Sequence, residues 1–272
     1  MITASIVIYN SPAKDLQTVI SCMANSMVHT IYVIDNAPND NLKEFVQSLS
    51  KKVVYRQGQG NIGYGAAHNL AIREAIRQDV TYHVALNPDI EFQEGVLEKL
   101  ASFMDHHPDV GQVIPKILLP NGGIQYVCKL IPTPLDLLFR RFAPRRMNEK
   151  RANKFELRFT GYNKIMNVPY HHGCFMFFRV SALKEIGLFD ERFFMYPEDI
   201  DISRRMHEKY ATLFYPDVEV VHAHAAESRK SVKMFLIHSM NMIRYFNKWG
   251  WLFDKKRRNI NRRILKELKY KV

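Results

Sequence analysis

The sequence predicts an α/β protein with a doubly wound, mostly parallel sheet. Short runs rich in β-branched residues alternate with segments of helical periodicity, which is the pattern of repeated βαβ units. The chain has 272 residues, of which 47% are hydrophobic, so it can bury a full core. In such a sheet a ligand binds in the crevice at the carboxyl ends of the strands.

The first βαβ unit lies at the N-terminus. A strand over 5–9 (SIVIY), a helix over about 14–27 and a strand over 31–34 follow one another, and the last of these leads into Asp35. Asp35 therefore stands at the carboxyl end of a strand, where a ligand would bind. The sequence DNAP that begins there is also a common turn, and the residues alone favour the turn.

A second unit carries a glycine-rich loop. After a helix over 42–49 and a strand over 53–55 comes GQGNIGYGAAHN at 58–69, which runs into a helix over about 64–78. Glycines permit close backbone approach to a phosphate, and a helix start supplies N–H groups. The loop matches neither the Walker pattern nor the dinucleotide fingerprint, so it is a weak signal alone.

The next predicted strand, 82–86 (YHVAL), delivers Asn87-Pro88-Asp89 to the crevice. Carboxylate oxygens are the ligands that Mg²⁺ or Mn²⁺ prefers, and a divalent ion would neutralise a departing diphosphate. One aspartate cannot hold a metal alone. A helix over 94–107 and a strand over 110–119 then complete a nucleotide-binding half.

The segment 131–167 has no clear periodicity. It carries a basic cluster from Arg140 to Arg146 beside Phe139 and Phe142. A charge run is usually a solvated face, but basic and aromatic residues also suit a phosphate-linked glycan. The sequence leaves both interpretations open.

An acidic motif follows at 187–205 (GLFDERFFMYPEDIDISRR). The proline and the acids after it predict a helix start. Asp201 can pair with Arg204 or Arg205, whereas Asp199 has no partner within its own helix. Asp199 is therefore a candidate general base, and a helix cap with an ordinary ion-pair face is the equal alternative.

Two short strands, 212–215 and 218–221, then lead to His222 and His224. A neutral imidazole is an acceptable ligand for Mn²⁺. A histidine buried in the core is the alternative for either residue.

These motifs resemble one known family. The run at 189–205, preceded by HHGCFMFFR at 171–179, resembles the acceptor-site signature of inverting GT-A glycosyltransferases of family 2, particularly the bacterial rhamnosyltransferase-like members. The sequences VIDNAP and LNPD and the NxGxGxxxN element also resemble that family, in its order. The resemblance implies a GT-A fold with a smaller acceptor-side sheet. It implies a catalytic domain over 1–228, with a nucleotide half to about 120 and an acceptor half over 121–228, and a basic helical extension over 229–272.

The resemblance also implies residue roles. Asp199 is the catalytic base, and Asp89 and His222, with His224 as the alternative, hold Mn²⁺ or Mg²⁺. Asn87 replaces the first acid of the family's Asp-x-Asp motif, which leaves the metal site one charge short. The acceptor-side residues are His172, Gly173, Glu198 and Asp201, and the residues implied to bind the nucleotide-sugar donor are Tyr9, Asn10, Asp35, Asn61, Gly63, Gly65, Asn69 and Asn87.

The net charge of +12 predicts a polyanionic partner, and more than half of it lies in the last 22 residues. There Ile260, Ile264 and Leu268 form one apolar face of a basic helix. This composition suits an anionic membrane interface, while packing on the protein's own domain is the alternative.

We expect a cytoplasmic protein attached peripherally at the inner face of the cell membrane, because no apolar window reaches the length of a membrane span. The expected acceptor is a glycan or lipid-linked precursor. The three separated cysteines, Cys22, Cys128 and Cys174, support neither disulfides nor a zinc site. A sugar nucleotidyltransferase is the rival function. A nucleic-acid-binding protein ranks last, because no recognised module is present, so we predict no nucleic-acid partner.

Overall fold

A computed structural model describes residues 1–136, 145–223 and 232–270, without the side chains of 145–148 and 232–233. Its secondary structure within these ranges alternates as the sequence predicts. The strands are β1 (Ile2–Ile8), β2 (Val28–Asp35), β3 (Val53–Arg56), β4 (Tyr82–Leu86), β5 (Ile90–Phe92), β6 (Val110–Leu118), β7 (Cys128–Lys129), β8 (Met166–Asn167), β9 (Tyr170–His171), β10 (Phe175–Arg179) and β11 (Ala211–His222). The helices are α1 (Ala13–Ala24), α2 (Lys43–Leu49), α3 (Tyr64–Arg77), α4 (Val96–Asp105), α5 (Arg145–Phe155), a 3₁₀ turn (Arg158–Thr160), α6 (Val180–Ile186), α7 (Glu198–His207), α8 (Val232–Trp249) and α9 (Lys255–Glu267).

The described strands form one large mixed sheet in the order β3-β2-β1-β4-β10-β6-β11-β5, with β8 paired to β11. The first four strands in this order are parallel, and Ile6 of β1 pairs with both Val33 and Leu86. The apolar residues of β1, β2 and β4 are mostly buried on both faces, as parallel strands covered by helices require, whereas edge strand β3 is partly exposed. β10 is inserted antiparallel between β4 and β6. The α/β class with a mostly parallel sheet is therefore confirmed, and β7 and β9 form a smaller second sheet.

Two segments differ from the sequence prediction. The two short strands predicted at 212–215 and 218–221 are one strand, β11, whose register shifts between Tyr215 and Glu219. Pro216 lies in that interval and has no N–H to donate, so the ladder is interrupted there although the strand continues. The helix α5 is so basic that it has no apolar period to detect. In the basic cluster, residues 140 and 141 and the side chains of 145 and 146 lie outside the described part of the chain.

The C-terminal helices pack on the sheet-containing body. Met242 and Phe246 of α8 pack with Tyr170 and Ile200 in one apolar cluster. Ile264 of α9 is 1% exposed within the main core, where Ile260 and Leu268 pack against it.

The prediction that this face of α9 lies in a membrane is therefore wrong, because the protein's own core covers it. The alternative, a helix packed on its domain with basic side chains outside, is the observed arrangement. Among the described helices, none, including the 18-residue α8, combines the length and the hydropathy needed to cross a bilayer.

Candidate active site

The carboxyl ends of β1, β2 and β4 meet at one edge of the sheet. Asp35, at the end of β2, is almost fully buried, and its carboxylate accepts hydrogen bonds from the Tyr55 hydroxyl (2.6 Å) and the Ala37 amide (2.8 Å). Burial and the hydrogen bond to Asp35 raise the pKa of Tyr55, so the phenol stays protonated and donates. Tyr9 and Asn10 follow β1 and are exposed at this edge.

The glycine-rich loop packs tightly against the acidic motif. Gly63 has a φ of +91°, and a Cβ there would lie 2.3 Å from the Phe194 carbonyl oxygen. A Cβ at Gly65 would lie 2.9 Å from Cβ of Phe189. Contact with the protein itself therefore already explains these glycines. Asn61 is exposed, and its Oδ1 accepts a hydrogen bond from the Gly63 amide (3.3 Å).

Asn69 is turned toward the acidic motif and away from solvent. Its side chain donates to the Phe189 carbonyl (2.9 Å) and to Glu191 Oε1 (2.9 Å), and it accepts from the Phe189 amide (3.0 Å). Since both ends of the amide are used, Asn69 positions the motif. The donor contact that the resemblance implies for Asn69 stays a prediction.

Asn87, Asp89 and His222 converge after β4 and at the end of β11. Nε2 of His222 lies 3.2 Å from Asp89 Oδ1 and 3.3 Å from Asn87 Nδ2, and its Nδ1 lies 2.8 Å from Gln125 Oε1. Burial lowers the pKa of His222, but hydrogen bonds to Asp89 and Cys174 outweigh it and raise the pKa to about 10. The imidazole is therefore charged beside Asp89, and a metal ion would have to displace one proton.

These side chains suit a metal site only in part. No three His, Cys, Asp or Glu side chains in the described ranges cluster as a metal site. Asp89 and His222 offer two ligands, and Gln125 fixes the imidazole as partners of metal-binding histidines do. Mg²⁺ is commonly held by one or two carboxylates together with substrate phosphates, so the donor set fits an ion completed by a diphosphate. His224 lies outside the described residues.

Tyr64, the first residue of α3, connects the two halves of the site. Its hydroxyl lies 2.7 Å from the Gly173 carbonyl oxygen and 3.1 Å from Asn87 Oδ1. Burial raises the pKa of Tyr64 well above its usual range. The phenol therefore remains a donor between the Asn87 side and the acidic motif.

Glu198 and Asp199 begin α7 and are both buried. Asp199 accepts hydrogen bonds from the Gly173 amide (3.0 Å) and the Ile200 amide (2.8 Å). Burial raises the pKa of Asp199, while the charge of Lys129 and these N–H groups oppose the rise. Burial and the charge of Asp199 raise the pKa of Glu198 well above its usual range, and its Oε2 has no hydrogen-bond partner among the described residues. The amide donors and Lys129 favour the charged form of Asp199, so within the pair the proton is favoured on Glu198.

Asp201 lies on a different side of α7 from Asp199. Its carboxylate accepts from Arg205 Nε (2.9 Å) and Trp249 Nε1 (2.8 Å), and Lys248 Nζ lies 2.7 Å away. The predicted pairing with Arg205 is present. Oδ2 of Asp201 thus pairs within α7 and Oδ1 with α8, and its expected acceptor-side role stays a prediction.

Gly173, one of the residues expected on the acceptor side, lies beside Asp199, and His172 precedes it in the chain. A Cβ at Gly173 would come within 3.3 Å of the Cβ of Asp199, so only glycine brings its amide to the carboxylate without displacement. His172 is half-buried, and its main-chain amide donates to the Val127 carbonyl (2.9 Å).

A small cavity of about 50 Å³ borders Asp199. Aromatic and apolar residues dominate its wall, as is typical of ligand pockets. The wall includes Phe155, Tyr170, Tyr196, Ile200, His238 and Met242. The last two belong to α8, so the C-terminal region contributes directly to the site.

Several of these residues are absent from the sequence prediction. Tyr64 lies inside the glycine-rich loop, and an aromatic hydroxyl at a helix start could have identified it as a site residue. Tyr55, Gln125, Lys129 and His238 lie in segments without a motif, and only the fold brings them to the site.

The sequence model described as "Glycosyl transferase family 2" matches residues 3–187. An N-acetylglucosaminyl-diphospho-decaprenol L-rhamnosyltransferase from Mycobacterium tuberculosis is 23% identical over 257 residues, which cover 83% of this chain and 81% of the relative.

Two solved structures share the fold. GalNAc-T7 with UDP, GalNAc and Mn²⁺ superposes with a TM-score of 0.59 at 14% identity, covering 82% of this chain and 43% of the other. The mannosyltransferase PcManGT from Pyrobaculum calidifontis, in complex with GDP-Man and Mn²⁺, gives 0.57 at 17% identity, covering 89% and 64%. The chain thus has the GT-A architecture.

Proposed function

This chain belongs to glycosyl transferase family 2, and from that premise we propose that it is an inverting glycosyltransferase acting on a lipid-linked or cell-surface glycan precursor. The observation that carries the proposal is the buried carboxylate of Asp199, held by two main-chain amides at the border of a cavity lined with aromatic rings. An acid fixed by two amide donors and bordering a cavity meets the geometric requirements of a general base.

The proposed reaction is a direct displacement at the anomeric carbon of the donor sugar. Asp199 accepts the proton of the acceptor hydroxyl while the hydroxyl oxygen bonds to that carbon. The bond from the carbon to the diphosphate oxygen breaks, and the nucleoside diphosphate leaves with the electron pair. Tyr64 holds Gly173 and Asn87 in fixed relation, so that base and leaving group stay on opposite sides of the sugar.

We propose that Asp89 and His222 hold a divalent ion against the donor diphosphate. When bound, such an ion neutralises charge that develops on the leaving group. Relatives of the same fold were crystallised with Mn²⁺ and a nucleotide or nucleotide sugar, which supports this assignment. The donor residues proposed alongside it are Tyr9, Asn10, Asp35, Asn61 and Asn87.

The mycobacterial relative's name supports a donor and an acceptor class. We propose dTDP-rhamnose or a UDP-hexose as the donor and a sugar carried on a polyprenyl diphosphate as the acceptor. Such an acceptor is anchored in a bilayer, so we further propose that the enzyme works peripherally at the inner face of the cell membrane.

The deciding experiment incubates the protein with a panel of sugar nucleotides and Mn²⁺, and measures both nucleoside diphosphate and pyrophosphate. A glycosyltransferase releases nucleoside diphosphate from one donor, at a rate that acceptor increases. Release of pyrophosphate would instead show a sugar nucleotidyltransferase.

The metal assignment is tested by nucleoside-diphosphate binding. Asp89→Ala should weaken this binding chiefly when Mn²⁺ or Mg²⁺ is present, and His222→Ala should act more mildly. Adding a chelator should weaken the binding of nucleoside diphosphate to the wild type. Metal-independent binding and activity in the wild type would remove the metal assignment.

A further inference from the structure

Helix α8 has apolar residues on two opposite faces. One face is buried in the protein and includes Met242 and Phe246. On the other side, Leu236, Met240 and Ile243 are 57%, 53% and 49% exposed. At 100° per residue these three positions fall within a stripe of about 60°. The outer face of a surface helix is normally polar, so this stripe needs an explanation.

The turn that follows α8 also exposes apolar side chains. Trp251 packs on Phe246 with ring centroids 5.2 Å apart, and its indole donates to Asn247 Oδ1 (2.8 Å). The turn is therefore held against the helix. Leu252 and Phe253 are left 65% and 88% exposed. We call the five exposed residues Leu236, Met240, Ile243, Leu252 and Phe253 the apolar edge.

Positive charge adjoins the apolar edge. Exposed Lys255 and Lys256 follow Phe253 almost directly. Over 251–272 the chain has nine Lys or Arg residues against two acids, within a net charge of +12. A second copy of this chain would bring equal positive charge and be repelled, whereas an anionic lipid surface attracts it. Apolar side chains flanked by Lys and Arg are the composition of membrane-interface segments.

We propose that the apolar edge is the surface by which this protein attaches to an anionic membrane. This surface is distinct from the apolar face of α9, which the core covers. The buried side of α8 supplies His238 and Met242 to the cavity that borders Asp199. One helix diameter, about 10 Å, therefore separates the attached lipid from the reaction cavity. The short distance between bilayer and cavity is useful only if the acceptor is lipid-linked, as proposed above. The attachment itself does not depend on that proposal.

The test is co-sedimentation of the full-length protein with vesicles of phosphatidylglycerol and phosphatidylcholine. The variant is Leu252→Ser with Phe253→Ser, and Leu236→Gln with Ile243→Gln is an independent second variant. The matched control is Val54→Ser, which removes an apolar side chain of similar exposure, 47%, from edge strand β3. Each protein is also examined by thermal melting, light scattering and donor hydrolysis.

We expect the wild type and the control to bind these vesicles at low salt and to bind pure phosphatidylcholine weakly. The two double variants should lose roughly tenfold or more in affinity, with unchanged melting and donor hydrolysis. High salt should weaken wild-type binding.

The proposal is overturned if the wild type ignores anionic vesicles at low salt, or if both double variants bind like the control. It is also overturned if the variants only convert a dimer to a monomer, because another copy would then occupy the edge. Vesicle binding without turnover of any sugar nucleotide would refute the proposed function alone and leave the attachment surface supported.

Discussion

Two adjacent carboxyl groups at one helix start hold their protons differently. Asp199 has two amide donors and Lys129 nearby, whereas Glu198 Oε2 has no hydrogen-bond partner among the described residues. Asp199→Asn keeps the size of the side chain but removes the base. We expect a fall in kcat of roughly 10²–10⁴-fold.

Nucleoside-diphosphate binding by calorimetry should change little in Asp199→Asn, because removing a base affects chemistry more than ground-state binding. The control is Asp217→Asn, which neutralises an exposed aspartate on β11. Transfer activity within a few-fold of wild type would dismiss Asp199 as the base.

Glu198→Gln tests the protonated partner through stability. The pKa of Glu198 is higher in the folded chain than in the unfolded chain, because burial and Asp199 disfavour its charge. Its stabilising contribution is therefore complete below the unfolded pKa and is lost as pH rises through the folded pKa. Glutamine cannot ionise, so the variant should gain melting temperature relative to wild type as pH rises from 5 to 8.

The control for this series is Glu94→Gln at an exposed position. It should show no such pH-dependent gain. An equal difference from wild type at both pH values would mean that Glu198 does not carry the extra proton.

At the scale of elements, α3 links the strand-end residues to the acidic motif through Tyr64. Tyr64→Phe keeps the ring and removes the hydroxyl that lies between Gly173 and Asn87. Because the lost hydroxyl positions Gly173 and Asn87, we expect a loss in kcat of roughly tenfold. The KM for the donor should change less, because the hydroxyl positions other groups.

The comparison for Tyr64→Phe is Tyr32→Phe, which removes a partly buried hydroxyl that accepts from Gln78 away from the site (3.2 Å). If both variants lose activity and melting temperature equally, the role of Tyr64 is only structural.

A buried ion pair joins α7 to the start of α9. Arg204 is 1% exposed and pairs with Asp254, with Nη1 to Oδ2 at 2.7 Å, while its guanidinium lies 3.9 Å from the Trp249 ring centroid. Asp254→Ala leaves this buried charge unpaired and should cost about 3–5 kcal/mol of unfolding free energy.

Glu208→Ala breaks the exposed pair with Lys256 and should cost about 0–1 kcal/mol. Denaturant unfolding measures both variants. Equal, small losses would show that Arg204 does not depend on Asp254.

For the whole molecule, the last helix is part of the folded core. Removing 251–272 takes away Ile264 and Asp254 and exposes Arg204. The free energy of unfolding of a typical protein is only about 5–15 kcal/mol, so the loss of these contacts is a large part of it. We expect the truncated protein to be insoluble or to melt far below wild type. Lys266→Ala with Lys269→Ala, which removes exposed charge only, should fold normally. A truncated protein that melts like wild type would mean that α9 contributes charge and not packing.

The local features of this protein can be predicted from its sequence alone. Strand ends place Asp35 and Asp89 at one edge, and the acidic run predicts the start of α7 at Glu198, because turn chemistry and periodicity act over a few residues. The alternation of strands and helices was enough for the α/β class.

The partner of each side chain, in contrast, depends on the packing of distant elements. Asn69 turned to Phe189, 120 residues away, and Asp201 to Trp249, 48 residues away. Likewise, the period of α9 shows that one face is apolar but cannot show whether core or lipid covers it. Local spacing fixes the direction of a side chain from its own element, whereas the group it meets depends on how distant elements pack.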